Sequence, residues 1–357
     1  MCIADKLQII LITYNREKYL KNTMEQLFSD ISPVKNCSIL VMDNNSTDNT
    51  KQIVKEFKHV YSNLEYQKNK YNVGISGNIA KAIESASKEY AWIIADDDKF
   101  DWSNWKEIEE ALNNDEEIIY TGNQFMIDNS IESILYQSTF ISTTIFKTSL
   151  LNDTILRNVV DTTFTLFPHL TYVIDFINSN KKIYIPKTSV IIYNWDGIAD
   201  MSYTRGVIDN KLYRRTSTMT FLVGYANICS LLSTSKLKND CLMFAIKQRY
   251  GNFYRYCKEL FNLYFNHSDL YQIMDVYSVL NIFNKLLLIF YFITVPLFSC
   301  CLFNNKIILR FLFFKFIFIL KKFNDNENKF VVYKFIKVSK NIKNNKKHFY
   351  FWNKKIF

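Results

Sequence analysis

The stretch Ala91-Trp92-Ile93-Ile94-Ala95-Asp96-Asp97-Asp98 decides the fold, because an apolar run ends abruptly in three carboxylates. The apolar residues predict a buried strand. Three adjacent acids repel one another, so packing alone gives no reason to cluster them there. A hard divalent cation would compensate their charge, because Mg²⁺ or Mn²⁺ binds one or two carboxylates and completes its shell with phosphate and water oxygens. The alternative is an acidic turn on the surface.

Two earlier apolar runs also end in polar residues. Residues 7–12 lead into Thr13-Tyr14-Asn15, and residues 38–42 lead into Asp43. Apolar residues at helical spacing follow each run, with Asn15 as a plausible N-cap of the first helix. This alternation predicts an α/β fold in which helices cover both faces of a mostly parallel sheet.

The polar residues fall at the carboxyl ends of the strands, where parallel sheets bind ligands. Tyr14 is suited to packing beside a nucleobase, and Asp43 to accepting a hydrogen bond from a base N–H. We expect Asp96 or Asp97 to hold a ribose hydroxyl and Asp98 to bind the metal. The alternatives are that Tyr14 is a core residue and Asp43 a turn residue.

The loop Asn72-Val73-Gly74-Ile75-Ser76-Gly77-Asn78 precedes another helical pattern. Its glycine spacing matches neither GxGxxG nor GxxxxGK[ST], which argues against a dinucleotide-binding fold and a P-loop. We expect this loop to bring backbone close to a nucleotide or a sugar.

These motifs resemble family 2 glycosyltransferases with the GT-A fold, over roughly residues 6–200. The matching segments are Ile12-Thr13-Tyr14-Asn15-Arg16, Met42-Asp43-Asn44-Asn45-Ser46-Thr47-Asp48, Asn72-Val73-Gly74, Gly77-Asn78 and Asp96-Asp97-Asp98. The resemblance implies an inverting transferase that uses a nucleotide-diphosphate sugar, with a UDP-sugar favoured, and Mg²⁺ or Mn²⁺. It implies Asp98 and Asp96 as metal ligands. It also implies a nucleotide-sugar site formed by Thr13, Tyr14, Asn15, Asp43, Asn72, Gly74, Asn78, Asp96 and Asp97.

The catalytic base is where the chain departs from the family pattern. The family commonly supplies the base from an acidic pair such as Glu-Asp, and residues 140–200 contain no Glu-Asp pair. The matching position reads Leu166-Phe167-Pro168-His169, so His169 is the first candidate, because histidine is suited to proton transfer near neutral pH. Asp161 is the second candidate and Asp196 the third. The alternative for His169 is a structural role at a helix start.

Charge is concentrated at the end of the 357-residue chain. The net charge is +10, and residues 321–357 hold eleven lysines against Asp325 and Glu327. The nearly neutral remainder argues against nucleic acid as a partner, and the basic tail favours an anionic membrane surface. The seven cysteines lack CxxC spacing, and no apolar signal core follows Met1, so we expect reduced thiols and no secretion.

In the second half of the sequence the strand-like alternation stops, and we expect helices over about 207–278. Residues 286–303 carry no charge, and three interpretations stay open: a helix in or dipping into one leaflet, burial within the protein, or a membrane span. The tail predicts a basic amphipathic helix. Its apolar face comprises Val331, Phe335, Val338 and Ile342, and its basic face Lys334, Lys337 and Lys340.

Together these patterns predict a GT-A domain over 1–205, a helical extension over 206–280 and a membrane-associating tail over 281–357. The expected function is addition of a sugar to a glycan or glycolipid of the lipooligosaccharide or capsule type. The expected location is the cytoplasmic face of a bacterial inner membrane, as a peripheral or monotopic protein. The alternatives are a nucleotidyltransferase that uses the same aspartates and a non-catalytic scaffold docked at membranes.

Overall fold

The fold is described from a computed structural model, in which the chain forms two units. One unit comprises Met1–Tyr264 with Asp269–Asn281, and the other Phe265–Ser268 with Ile282–Phe357. The structure describes residues 3–122, 128–192, 217–257, 260, 270–294, 299–303, 306–311, 314–319, 329–332, 336–341, 346–351 and 354–355. Side chains are described for 3–122, 128–192, 221–257, 260 and 274–290.

In the first unit, short apolar runs form strands and longer periodic segments form helices. The strands are β1 (Leu7–Thr13), β2 (Ser38–Asp43), β3 (Leu64–Lys68), β4 (Tyr90–Ala95), β5 (Lys99–Phe100), β6 (Ile118–Tyr120), β7 (Thr144–Lys147) and β8 (Ile191–Ile192). The helices are α1 (Ile3–Lys6), α2 (Glu17–Leu27), α3 (Thr50–Val60), α4 (Gly74–Glu84), α5 (Trp105–Asn113), α6 (Ile131–Gln137), α7 (Asp153–Asp161), α8 (Leu170–Asn178), α9 (Ser217–Cys229), α10 (Ser235–Tyr250) and α11 (Leu270–Val279).

The main sheet has six strands in the order β3-β2-β1-β4-β7-β6. The first four strands pair in parallel, and β7 then pairs antiparallel with both β4 and β6. The predicted α/β class with a mostly parallel sheet is therefore confirmed. The chain leaves β1 toward β2 on one side and returns to β4 on the other. The ends of β1 and β4 therefore form a topological switch point, where open α/β sheets bind ligands.

The core lies on both faces of β1. Every residue of β1 is buried, as a central strand requires. Residues Leu7, Ile9 and Leu11 join a cluster that contains apolar side chains of α2, α3 and α5. Helix α4 contacts β1, β2 and β4. This two-sided packing holds the strand ends rigidly in register, with Ile12 opposite Ala95.

The predicted capping role of Asn15 is wrong. Helix α2 begins at Glu17, and the side chain of its N-cap residue Arg16 makes no capping hydrogen bond. The Glu17 N–H is accepted instead by Asp48 Oδ2 at 3.0 Å. Asn15 instead has a positive φ of 52°, and its Oδ1 accepts a hydrogen bond from the Thr47 N–H at 2.7 Å. A short amide side chain tolerates this backbone region because it bonds locally. Asn15 thus ties the loop after β1 to the loop after β2.

The second unit begins with α12 (Ile282–Thr294) and continues in strands rather than the predicted helical tail. The strands are β9 (Ser299–Phe303), β10 (Lys306–Phe311), β11 (Phe314–Ile319), β12 (Lys329–Val332), β13 (Ile336–Asn341), β14 (Lys346–Phe351) and β15 (Lys354–Lys355). They form antiparallel sheets ordered β11-β10-β9 and β12-β13-β14-β15.

The expectation of a helical tail was wrong for a physical reason. In Ile336-Lys337-Val338-Ser339 apolar and polar residues alternate with the period of a strand, and the tail is rich in β-branched and aromatic residues. Phe335 and Ile342 lie outside the described residues. In the described part of the chain, the helices all fall short of the length and apolarity that a bilayer span requires.

Gly122 permits a close approach between two chain segments, which gives a test of the fold. Gly122 has a φ of +85°, and a Cβ there would lie 2.5 Å from Ser189 Cα. We expect Gly122→Ala to lower the free energy of unfolding by about 3 kcal/mol or more, from backbone strain plus overlap. Gly251→Ala is the matched control, because Gly251 has a φ of +75° but a Cβ there would meet only Arg255 Nη1, at an ordinary contact distance of 3.9 Å. The control loses only about 1–2 kcal/mol. Equal losses in urea denaturation would contradict the close approach.

Candidate active site

The first pair of site residues meets at the switch point between β1 and β4. Thr13 ends β1, and Asp96 directly follows β4. The Thr13 hydroxyl donates a hydrogen bond to Asp96 Oδ2 at 2.7 Å, and both side chains are buried. The parallel register of the two strands explains this contact, because it brings their carboxyl ends side by side.

Arg16 is a site residue whose role the sequence analysis missed. Its Nη1 lies 3.3 Å from Asp96 Oδ1, and its Nη2 donates to Asp97 Oδ2 at 2.8 Å. The guanidinium also lies over the Tyr19 ring, 4.6 Å from the centroid. The adjacent carboxylates had predicted a cation, and only a metal ion was considered. An arginine three residues after Thr13, at the same sheet edge, was the available signal.

Asp98 is anchored through one of its two carboxylate oxygens. Its Oδ2 accepts the Ala95 N–H at 3.0 Å and also the Ser142 hydroxyl. Among the described residues, its Oδ1 receives no hydrogen bond. Ser142 belongs to the turn that leads into β7, so the antiparallel strand beside β4 helps to orient the carboxylate.

The site buries more negative than positive charge. Asp96, Asp97 and Asp98 are 3%, 9% and 8% exposed, and in the described part of the chain one guanidinium, that of Arg16, contacts them. Burial raises the pKa of Asp96, and Arg16 partly offsets this effect. Burial also raises the pKa of Asp98, and repulsion from Asp97 adds to it. A bound cation would relieve this excess of negative charge.

The donor set fits Mg²⁺ or Mn²⁺ when part of the coordination shell comes from phosphate. The described residues include no group of three or more His, Cys, Asp or Glu arranged to hold a metal. Such ions often use one or two carboxylates, with substrate oxygens and water in the remaining positions. Both oxygens of Asp96 are engaged, by Thr13 and Arg16. Asp97 and Asp98 each keep an oxygen without a hydrogen bond from the described residues, so this pair suits a metal better than the predicted Asp98 and Asp96.

A cavity of about 300 Å³ opens over these carboxylates. Its lining combines polar and apolar side chains. The polar ones include Thr13, Arg16, Asn44, Asn78, Asp96, Asp97, Asp98 and Ser142. The apolar ones include Ile12, Ile75, Ile79, Phe140, Ile141, Leu166 and Phe167. Tyr14 and His169 also line the cavity, which is the usual mixture for a small-molecule site.

His169 is the candidate base that reaches this cavity. It precedes α8, is 2% exposed, and its Nε2 lies 3.0 Å from the Ser138 carbonyl oxygen. Since a carbonyl only accepts, Nε2 carries the proton and Nδ1 has the lone pair. Nδ1 is buried without a hydrogen-bond partner among the described residues. Burial lowers the pKa of His169 to about 4, which keeps the ring neutral but also weakens it as a base.

The other two candidate bases are Asp161 and Asp196. Asp161 ends α7, is exposed, and is absent from the residues that line the cavity. Asp196 lies outside the described residues.

All the residues that line the cavity fall within a segment that matches a known family. Residues 8–180 match the family described as Glycosyl transferase family 2. Residues 8–180 therefore form a domain of the glycosyltransferase family 2.

Curated relatives match about a quarter of this chain. The GalNAc(5)-diNAcBac-PP-undecaprenol beta-1,3-glucosyltransferase of Campylobacter jejuni is 33% identical over 99 residues, which are 26% of this chain and 30% of that protein. Abequosyltransferase RfbV of Salmonella typhimurium is 29% identical over 87 residues, which are 24% of this chain and 26% of that protein. The chain therefore spans less than a third of the length of these relatives.

The fold of the glycosyltransferase domain also has a counterpart among crystal structures. S. aureus TarS 1-349 in complex with UDP-GlcNAc matches with a TM-score of 0.52 at 15% identity. The match covers 87% of this chain and 98% of that chain. At this identity the likeness concerns the fold.

Asp43 occupies a different setting in the glycosyltransferase domain from the expected one. It is fully buried and is not among the residues that line the cavity. Its Oδ2 accepts the Tyr66 hydroxyl at 2.6 Å, and its Oδ1 accepts the Ser46 N–H at 2.8 Å. Asp43 thus holds the loop after β2, and a contact with a nucleobase would have to share these oxygens.

The predicted residues Asn72, Gly74 and Asn78 belong to a network of amides beside the cavity. Asn44 Nδ2 donates to Asn72 Oδ1 at 2.7 Å and to the Gly74 carbonyl at 3.2 Å. Asn69 Nδ2 donates to Asn78 Oδ1 at 2.8 Å. Of the three predicted residues, Asn78 lines the cavity, as Asn44 does, whereas Asn72, Gly74 and also Asn15 do not. The network fixes the start of α4 and thereby positions Asn78 at the cavity.

Helix α9 supports the loop that carries His169. Phe167 packs edge-on against Phe221, with ring centroids 4.7 Å apart. A Cβ at Gly224 would lie 3.4 Å from Thr165 Cβ, so α9 approaches the loop before His169 closely. On the other side, the Ser76 hydroxyl donates to the Thr165 carbonyl. The loop that presents His169 is therefore held between α4 and α9.

Proposed function

We propose that this protein transfers a sugar from a nucleotide-diphosphate sugar to a hydroxyl of a glycan or glycolipid, with inversion at the anomeric carbon. The observation that carries the proposal is the convergence of Thr13, Arg16 and the Asp96–Asp98 run in one cavity at the switch point of the sheet. The complex of TarS with UDP-GlcNAc supports a UDP-sugar as donor. The Campylobacter relative, whose name contains PP-undecaprenol, supports a lipid-linked acceptor.

On the donor side, the chain's own groups divide the work. Arg16 shares its single positive charge between Asp96 and Asp97, which reduces the repulsion between the acidic cluster and a phosphate-bearing ligand. Thr13 and Asp96 form one polar surface suited to a ribose hydroxyl. Mg²⁺ or Mn²⁺, held by Asp97 and Asp98, would neutralise the leaving diphosphate.

On the acceptor side, one base is sufficient because inversion takes a single displacement. The acceptor oxygen forms a bond to the anomeric carbon while the bond from that carbon to the diphosphate oxygen breaks. In this proposal His169 Nδ1 takes the acceptor proton. Burial favours the neutral ring by lowering its pKa, whereas the Ser138 carbonyl at Nε2 raises the pKa but selects the tautomer that leaves the lone pair on Nδ1.

The proposed location is the cytoplasmic face of a bacterial inner membrane. The eleven lysines in residues 321–357 support an anionic membrane as the partner of the chain.

A panel of nucleotide sugars incubated with Mn²⁺ and membrane extract tests the proposed activity. We expect one donor to give sugar-dependent release of a nucleoside diphosphate, and a chelator to abolish it. Release of pyrophosphate from a nucleoside triphosphate and a sugar phosphate would favour a nucleotidyltransferase instead. No release from any donor would favour the non-catalytic scaffold.

A further inference from the structure

Helix α12 exposes an apolar surface at the start of the second unit. Four of its large side chains, those of Ile282, Phe283, Leu286 and Phe290, are 58% to 72% exposed. Leu287 and Ile289 are also exposed, at 39% and 42%. Exposed apolar side chains that are contiguous on one helix mark an interaction surface, whereas scattered ones need no explanation.

The exposed residues share one side of the helix. At about 100° per residue, the six fall within an arc of about 160°. Asn284 and Leu288 lie outside this arc and are buried, at 8% and 2% exposed. A helix on the surface of a water-soluble protein normally shows the opposite arrangement, with its large apolar residues buried. The outer face of α12 is therefore suited to an apolar environment.

The stretch of sequence that contains this helix carries only basic charges. Residues 276–324 contain six basic residues and no Asp or Glu. One of the six, Lys285, lies in α12 next to the apolar arc. A protein partner could match such a surface with acidic side chains, but an anionic bilayer supplies both a negative surface and an apolar layer at once.

We propose that α12 lies in the surface of an anionic phospholipid bilayer, with the arc from Ile282 to Phe290 among the acyl chains. The helix has 13 residues, too few to span a bilayer, and this length suits a position in the plane of the interface. The proposal goes beyond sugar transfer, because docking through α12 does not depend on the reaction.

Flotation of the full-length protein with vesicles tests the docking surface. The triple variant Ile282→Ser/Phe283→Ser/Leu286→Ser removes three exposed apolar side chains. We expect its partition into phosphatidylglycerol vesicles to fall at least about tenfold, because each side chain contributes apolar area. The matched control is Ile31→Ser/Val160→Ser, whose native side chains are 79% and 62% exposed in the first unit. The proposal is overturned if the triple variant partitions into vesicles as strongly as the wild type does, or if the control variant loses as much partition as the triple variant.

Two further measurements separate a bilayer from a second copy of the chain and avoid reliance on folding of the triple variant. Phe283→Trp should show fluorescence quenching by brominated phosphatidylglycerol, and Ile31→Trp should not. Absence of quenching at position 283 overturns the proposal. The proposal is also overturned if light scattering shows that the wild type is a dimer and the triple variant a monomer, while both bind vesicles equally well.

Discussion

Asp98→Asn is expected to lower the rate of sugar transfer at least about 10³-fold without disrupting the fold. Both hydrogen bonds that Asp98 accepts, from Ala95 and Ser142, go to Oδ2. The single carbonyl oxygen of asparagine can accept both, so the substitution replaces only the oxygen that is available to a metal. The measurement is nucleoside diphosphate release with the active donor and Mn²⁺.

Ser142→Ala is the matched control for Asp98→Asn. It removes one hydrogen bond to the carboxylate but keeps its charge, so we expect only about a tenfold loss of rate. The metal-free Asp98→Asn protein should also melt at a higher temperature than wild type above about pH 5. The reason is that burial raises the pKa of Asp98, so its ionised form destabilises the folded state there. Turnover of Asp98→Asn near the wild-type rate would contradict the proposed role of the carboxylate.

His169→Gln is expected to lower kcat by about 10²- to 10⁴-fold while leaving the affinity for the donor unchanged. The glutamine amide can still donate to the Ser138 carbonyl, but it offers no basic nitrogen in place of Nδ1. The measurement combines single-turnover transfer with titration of the nucleotide. If transfer persists at the wild-type rate, the base is another group.

The pH dependence of stability provides an independent control on the setting of His169. Its folded pKa, about 4, lies below the ordinary value of 6.5. The stability that follows from this difference is fully present above pH 6.5 and is lost as the pH falls to 4, because the unfolded state then binds the proton first. The loss amounts to about 3 kcal/mol and should be absent in His169→Gln. Equal pH profiles would show that the ring is not buried as described.

Much of the donor side of the site could be predicted from sequence. Apolar runs that end in polar residues mark strand ends, and alternation with helices makes the strands parallel. Thr13 and Asp96 were therefore expected at one edge, and they do form a hydrogen bond. The acidic run was expected to have a cationic partner, and Arg16 is one, whereas the metal ion stays a prediction. These inferences succeed because they depend on local periodicity and on one general rule of sheet topology.

The acceptor side and the tail were harder to predict. His169 could be named from its position before α8, but its neutral tautomer depends on the Ser138 carbonyl, 31 residues away. The tail was predicted as a helix because residues spaced by three or four were weighed above the alternation in 336–339. Short apolar and basic segments fit both periods, so neighbouring strands decide between them.

The sequence by itself determined the strand–helix order, the sheet edge where the polar residues gather and the presence of an acidic run at that edge. Only the tertiary structure decided how each carboxylate is used. Arg16 contacts one oxygen each of Asp96 and Asp97. The hydroxyls of Ser142 and Tyr66 donate hydrogen bonds to Asp98 and Asp43, respectively. The physical reason is distance along the chain. Thr13 and Asp96 are 83 residues apart, and Arg16 and Asp97 are 81 apart, so no local pattern records which donor reaches which oxygen.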